Sequence, residues 1–220
     1  MTVVKFDNLS VKRDKKIILE NITLELEKGS ILAIAGRSGI GKSTVLESFI
    51  NKKLINSGKI LAPKSISFMP QSIDEKEVGL SLIELITLSK ANKGIIIKDD
   101  EYKIAKKVLT ELNLDEKKDS LINQLSGGQL QRFSIARAIY QNYNLFILDE
   151  PTAGADIKTS LEIKEIIFKY AKSENKTVIY STHDLNLIKE ADYILYIKAD
   201  GKFIYGKKSK ELLGKIYDNN

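Results

Sequence analysis

There is no cysteine among the 220 residues of this chain. That excludes a disulfide framework and any thiolate metal site, and it suits a reducing compartment. No apolar run approaches the ~20 residues needed to span a bilayer. No basic flank leads into an apolar stretch at the start, so no secretory leader is expected. Lysine and arginine outnumber the acids by 35 to 29, a net charge of +6. An excess of that kind can serve nucleic acid or an anionic membrane surface. Here the basic residues are scattered, with no run of five or more, so a solvated lysine-rich surface is the first reading. Coiled-coil heptads, internal repeats and low-complexity segments are also missing. Histidine occurs once, which makes its position worth following.

What is present is one core's worth of apolar residues, 43% of the chain, and a glycine loop in a definite setting. The apolar run Ile31-Leu32-Ala33-Ile34-Ala35 leads into Gly36-Arg37-Ser38-Gly39-Ile40-Gly41-Lys42-Ser43-Thr44, and Val45 to Ile50 reads as helix. Alone, a glycine-rich loop is more often an ordinary turn. Strand, G-x-x-x-x-G-K-S and helix in succession make the phosphate-binding P-loop. Glycines let the backbone curl so that several N–H groups point into one concavity, and the helix dipole adds to the attraction. Lys42 can reach the outer phosphates and the Ser43 hydroxyl can ligate magnesium.

Around this loop the chain sorts into three textures. Before it, Val3 to Val11, then Ile17 to Leu19 with Ile22 to Leu26, read as strands with the charged turn Asp14-Lys15-Lys16 between them. After it, Asn56-Ser57-Gly58 reads as a turn, with short strands at Lys59–Leu61 and Ser65–Met69. From about Gln71 to Gln124 strand signals thin out. Ser81-Leu82-Ile83-Glu84 is a capping box opening a helix through Leu88. Residues 99–112 place Tyr102, Ile104, Ala105, Val108, Leu109 and Leu112 at helical spacing. The run Ile95-Ile96-Ile97 reads as a strand or a buried loop. Leu125-Ser126-Gly127-Gly128-Gln129 precedes a helix with Phe133, Ala136, Ile139 and Tyr140 on one face; taken alone it is a helix N-cap, and it can also form a second anion-binding nest.

The last third is α/β again. Leu145-Phe146-Ile147-Leu148 is an apolar strand closed by Asp149 and Glu150. Such a run suggests a central parallel strand, and acids at its carboxyl end lie where α/β sheets bind ligands. Asp149 there can hold magnesium opposite Ser43, and Glu150 can orient or deprotonate a water. A helix is expected from Ile157 to Ala171, with Leu161, Ile163, Ile166, Ile167 and Tyr170 as its apolar positions. Thr177 to Ser181 repeats the buried-strand pattern, and His183 follows it in the same place as the two acids. Tyr193–Ile197 and Lys202–Tyr205 flank the turn Asp200-Gly201 as a hairpin, and residues 207–220 read as a polar helix or tail. The expected fold is α/β, a P-loop NTPase core with a mainly parallel sheet, an N-terminal antiparallel β subdomain and an inserted α-helical subdomain. Residues 1–220 make a single domain, with the core in 1–70 and 145–220 and the insert, about 71–144, carrying the Ser126 nest.

In this order the motifs resemble the nucleotide-binding subunit of ATP-binding cassette (ABC) transporters, and the likeness covers essentially the whole chain. Leu125 to Gln129 resembles the family signature and is the specific part, since P-loops occur in many unrelated NTPases. The resemblance implies a role for each position. Gly36, Arg37, Ser38, Gly39, Ile40, Gly41, Lys42, Ser43 and Thr44 would be the Walker A loop on the phosphates. Gln71, in Phe68-Met69-Pro70-Gln71, would touch the magnesium or the attacking water and link the site to a membrane partner. Asp149 would be the Walker B aspartate, Glu150 the catalytic glutamate, Asp156 the D-loop aspartate, and His183 the switch histidine on the γ-phosphate.

It further implies ATP and Mg2+ as cofactors and a head-to-tail dimer of two ATPase subunits, most simply two copies of this chain. Ser126, Gly127, Gly128 and Gln129 of one copy would then close the ATP site of the other. A separate transmembrane permease would be the partner, together with a substrate-binding protein, and no specific nucleic acid is expected. The chain would sit in the cytoplasm, peripheral on the inner face of the cell membrane. Asp149 to Gly154 and His183-Asp184-Leu185-Asn186 resemble importers of metal ions or metal chelates. A soluble ABC ATPase, as in iron–sulfur cluster assembly, or an exporter subunit would use the same residues.

Two positions depart from the family. Ala155 stands where the D-loop has a bulkier apolar residue, and Arg13 falls where an aromatic residue commonly stacks on adenine. A guanidinium can stack on a base as well. Arg13→Ala is therefore expected to weaken ATP binding about fivefold, measured by titration with a fluorescent ATP analogue. Unchanged affinity would remove Arg13 from the base site.

Overall fold

Residues 1–71, 79–90 and 98–217 are described by the computed structural model; the Ile95–Ile97 run lies outside them. The chain begins with two twelve-residue strands, β1 (Thr2–Arg13) and β2 (Lys16–Glu27), paired antiparallel. Their alternation buries Val4, Phe6, Leu19, Ile22, Leu24 and Leu26 on one face. β4 (Ile55–Leu61) pairs antiparallel on the other side of β1, giving the order β2-β1-β4. The turn expected at Asn56-Ser57-Gly58 is instead the body of this strand. The pairing skips between Asp7 and Ser10, and Gly58, at φ 73°, sits at that bulge. A Cβ there would lie 2.2 Å from the Asn8 carbonyl oxygen. Turn-forming residues thus serve a bulge whose partner is some fifty positions away.

The second sheet has the order β5-β6-β7-β3-β8-β9. β3 (Ile31–Ala35), β5 (Ser67–Met69), β6 (Leu145–Leu148), β7 (Thr177–Thr182) and β8 (Tyr193–Ile197) are parallel, and β9 (Phe203–Lys207) returns antiparallel on β8. β3 and β6 are buried throughout, as a strand covered on both faces must be. Along β3 the side chains divide between two cores. Ile31, Ala33 and Ala35 join the cluster under the helices; Leu32 and Ile34 join the cluster facing β1, β2 and α1 (Lys42–Glu47).

The remaining helices are α2 (Leu82–Leu88), α3 (Asp99–Glu111), α4 (Gly127–Gln141), α5 (Ile157–Ser173), α6 (Leu185–Ile188) and α7 (Lys210–Tyr217). The Ser81 capping box forms as expected: the Ser81 amide and hydroxyl donate to Glu84 Oε2 at 2.7 and 2.6 Å. Ala105, Val108 and Leu109 of α3 are buried, with Leu112 just past its end, whereas Tyr102 and Ile104 point outward. In α5, Ile163 and Ile167 carry the packing while Leu161 is exposed. The apolar spacing found α3 and α5 but made each buried stripe too wide, and α6 was not expected. The last segment, expected as a polar helix or tail, docks through Leu212 and Ile216. Among the described residues no helix is long and apolar enough to cross a membrane.

The bulge makes Gly58 sensitive. Gly58→Ala forces a side chain into left-handed backbone against a carbonyl, and is expected to lower unfolding stability by about 2 kcal/mol, read from urea unfolding. A change within error would show that β4 shifts freely.

Candidate functional site

The site lies at the carboxyl ends of the parallel strands, where β3 runs into the glycine loop and β6 and β7 run into Asp149 and His183. β3 ends at Ala35, and the glycine loop carries the chain over to α1. Gly41 caps that helix at φ 107°. A Cβ on Gly41 would meet the Ile18 methyl at 2.1 Å, so β2 presses on the loop and only glycine fits there. Arg13, at the end of β1, makes an ion pair with Glu47 on α1, a second tie between the antiparallel sheet and the P-loop helix. Lys42 opens α1 nearly buried. Its Nζ donates to the carbonyl oxygens of Gly36 at 2.9 Å and Arg37 at 3.1 Å, and lies 3.0 Å from Glu150 Oε1.

β6 places Asp149 and Glu150 directly beyond its last residue. Asp149 donates its amide to the Met69 carbonyl at 2.9 Å, which links it to β5. Its carboxylate accepts from the Ser181 hydroxyl at 2.5 Å and from Ser43. Burial pushes the Asp149 carboxyl above the usual carboxylate range, and the two hydroxyl bonds only partly oppose this. Ser43 and Asp149 are hard oxygen donors at one point, one on the P-loop helix and one on the strand end. They suit Mg2+.

Glu150 is 8% exposed, with its backbone at φ 48°. A side-chain-bearing residue stays in that left-handed region only if its surroundings hold it there. Its amide donates to Ser181 Oγ at 2.8 Å; its carbonyl accepts from the Ala153 amide and from Gln131 Nε2, both at 3.0 Å. The carboxylate then bridges two groups, with Oε1 on Lys42 and Oε2 3.0 Å from His183 Nδ1. With Nδ1 as donor, the other ring nitrogen of the exposed His183 is left facing outward. A cleft beside this pair is lined by Thr152, Ala153, Thr182, His183 and Asp184.

The second nest is a capping box. Ser126 Oγ accepts from the Gln129 amide at 3.4 Å, and the Ser126 amide donates to Gln129 Oε1 at 2.9 Å. The amides of Gly127 and Gly128 have no partner within the helix they begin, and both Ser126 and Gly127 are exposed. Asp156 caps α5 through the Thr159 amide at 2.8 Å, which holds its carboxyl below the usual range. Arg132 of α4 reaches Glu162 at 2.6 Å and Thr159 at 3.3 Å on α5.

The structure therefore brings Lys42, Ser43, Asp149, Glu150 and His183 into one connected cluster. Gln71 stands exposed two residues beyond β5, at the same edge of the sheet. Arg13 is committed to Glu47. Sequence reasoning missed Ser181 and Gln131. Ser181 carried a signal, a hydroxyl one residue from the end of a strand otherwise read as apolar. Gln131 carried none, because its partner is a backbone atom.

Residues 19–153 match the ABC transporter family. The chain is 32% identical to an uncharacterized ABC transporter ATP-binding protein of Methanocaldococcus jannaschii, over 97% of this chain and 88% of that one. It is also 32% identical to the zinc import ATP-binding protein of Histophilus somni, over 84% and 69%. Among solved structures, one described as an inward-facing metal-chelate type ABC transporter superposes with a TM-score of 0.87 at 28% identity, over 99% of this chain and 90% of that one. A dimeric ATP-binding cassette in a post-hydrolysis state, bound to ADP and Pi, superposes at 0.78 and 28% identity, over 93% and 98%.

Ser181→Ala removes one hydroxyl from both acids at once. It is expected to lower stability by about 2 kcal/mol through the buried groups left unpaired, and to slow ATP hydrolysis about tenfold. Urea unfolding and steady-state phosphate release check the two halves. A variant that keeps both would show that Ser181 only fills space.

Proposed function

This chain belongs to the ABC transporter ATP-binding family and is an ATPase, and from that premise we propose that two copies bind ATP head to tail and drive solute transport by a separate membrane permease. The observation that carries this reading is Glu150, which joins Lys42 and His183 at the sheet edge. The loop Gly36–Thr44 of one copy cradles the phosphates, and Ser126–Gln129 of the other supplies the missing amide donors from the facing side. Lys42 exchanges the Glu150 carboxylate for phosphate oxygens. Glu150 accepts the proton of the attacking water, and His183, steered by Glu150, contacts the γ-phosphate. Ser43 and Asp149, with Gln71, would hold Mg2+, which neutralises charge on the phosphate oxygens. ATP holds the dimer closed and hydrolysis releases it.

On this reading the helices α2, α3 and α4 belong to the arm that meets the permease, with Gln71 as the link back to the nucleotide. The cargo we propose is a metal ion or a metal chelate, delivered by a substrate-binding protein. Supporting it are the zinc-import relative and the metal-chelate type structure, with the matching text around Asp149 and His183. The chain then works on the cytoplasmic face of the cell membrane.

Glu150→Gln keeps the shape and removes the base. It is expected to slow hydrolysis on the order of a thousandfold and to trap an ATP-bound dimer visible by gel filtration; normal turnover would overturn the assignment of the base. The same variant, tagged and recovered with ATP and magnesium from gently solubilised membranes, should bring down a polytopic membrane protein. Recovery of a soluble partner with nothing from the membrane would replace the transport reading by a non-transport ABC ATPase.

A further inference from the structure

The catalytic glutamate is held by the same helix that begins with the nest. α4 starts at the Ser126 cap, and five residues further on, about 7 Å along the axis, Gln131 donates to the Glu150 carbonyl at 3.0 Å. The next residue, Arg132, reaches Thr159 and Glu162 on α5. Thr159 in turn is bonded to Asp156 through both its amide and its hydroxyl, at 2.8 and 2.9 Å. Neighbouring residues of one helix therefore clamp both ends of the segment from Glu150 to Asp156. The Glu150 end is where the backbone is left-handed, the conformation that survives only under outside restraint. The Ala153 amide shares that carbonyl, but it belongs to the segment being positioned. Of the bonds on the Glu150 backbone, the one from Gln131 is the one that comes from the nest helix.

We propose that Gln131 is a positioning residue that couples the two halves of the dimer. A nucleotide held by the partner engages the nest at the start of α4, and α4 carries that event through Gln131 to this copy's own Glu150. The coupling rests on the head-to-tail reading; the local restraint on Glu150 rests on the observed bond alone. Each site is then aligned for hydrolysis only when its copy also grips the partner's ATP. A helix transmits such a shift because it moves as a rigid element.

The test is the full chain carrying Gln131→Met, similar in length but without the donor, beside Gln131→Lys, which keeps an N–H of comparable reach. Gln131→Met is expected to lower kcat about tenfold, the worth of one aligning hydrogen bond, with ATP affinity unchanged. In the Glu150→Gln background it should still form the ATP-held dimer, since the nest is intact. Gln131→Lys should recover most of the rate. A Gln131→Met enzyme at parental kcat would overturn the proposal. So would equal loss in the Met and Lys forms, or loss of the dimer along with the rate, because either would place Gln131 in packing or in the nest. Were Glu150→Gln alone to form no ATP-held dimer, the head-to-tail reading and the coupling would fall, whatever Gln131→Met did to kcat.

Discussion

A carboxylate buried between a lysine and a histidine is the constraint on which this structure turns. Glu150 reaches both Lys42 and His183 because its backbone is left-handed, turning the side chain back over the sheet edge. That conformation is held at the amide by Ser181 and at the carbonyl by Gln131 and Ala153. Two elements outside the loop after β6, β7 and α4, must therefore be in place before Glu150 is. The ion pair is costly to bury unless its geometry is good, and the Lys42 ammonium offsets that cost through its bonds to the Gly36 and Arg37 carbonyls.

The layers supply the rigidity this needs. β3 contributes alternate side chains to two cores, so the strand that launches the P-loop is fixed from both faces. The antiparallel sheet then adds two local ties to the nucleotide loop, Ile18 over Gly41 and Arg13 on Glu47. The second tie bears on the proposal that Arg13 stacks on adenine. Its guanidinium is oriented by Glu47, and a planar cation held on one edge still presents its face.

How much of this was legible depended on distance along the chain. The P-loop, the acids after β6 and the caps at Ser81 and Ser126 are local patterns, and they stand where their spacing placed them; the Asp156 cap on α5 emerged only in the structure. Gly58 misled because a turn residue also suits a bulge, and only the partner strand decides which. Tyr102, Ile104 and Leu161 satisfied helical spacing, yet spacing cannot say where a buried stripe ends. Ser181 and Gln131 act on the main chain of a residue in another element, so no motif marks them. The family likeness carried the roles expected of His183 and of the nest, which the residues alone left open, the one between a structural or solvated histidine and a functional one, the other between capping and anion binding.

The central claim is that each ATP site is completed by a second copy. The absence of cysteine makes this directly measurable, since any introduced thiol is unique. Two single-cysteine forms, Ser38→Cys in the P-loop and Ser126→Cys in the nest, would be mixed and treated with a short bis-maleimide. The account predicts a cross-linked pair of unlike chains with ATP and magnesium, and little with ADP. Cross-links between like chains, or a yield indifferent to nucleotide, would contradict it.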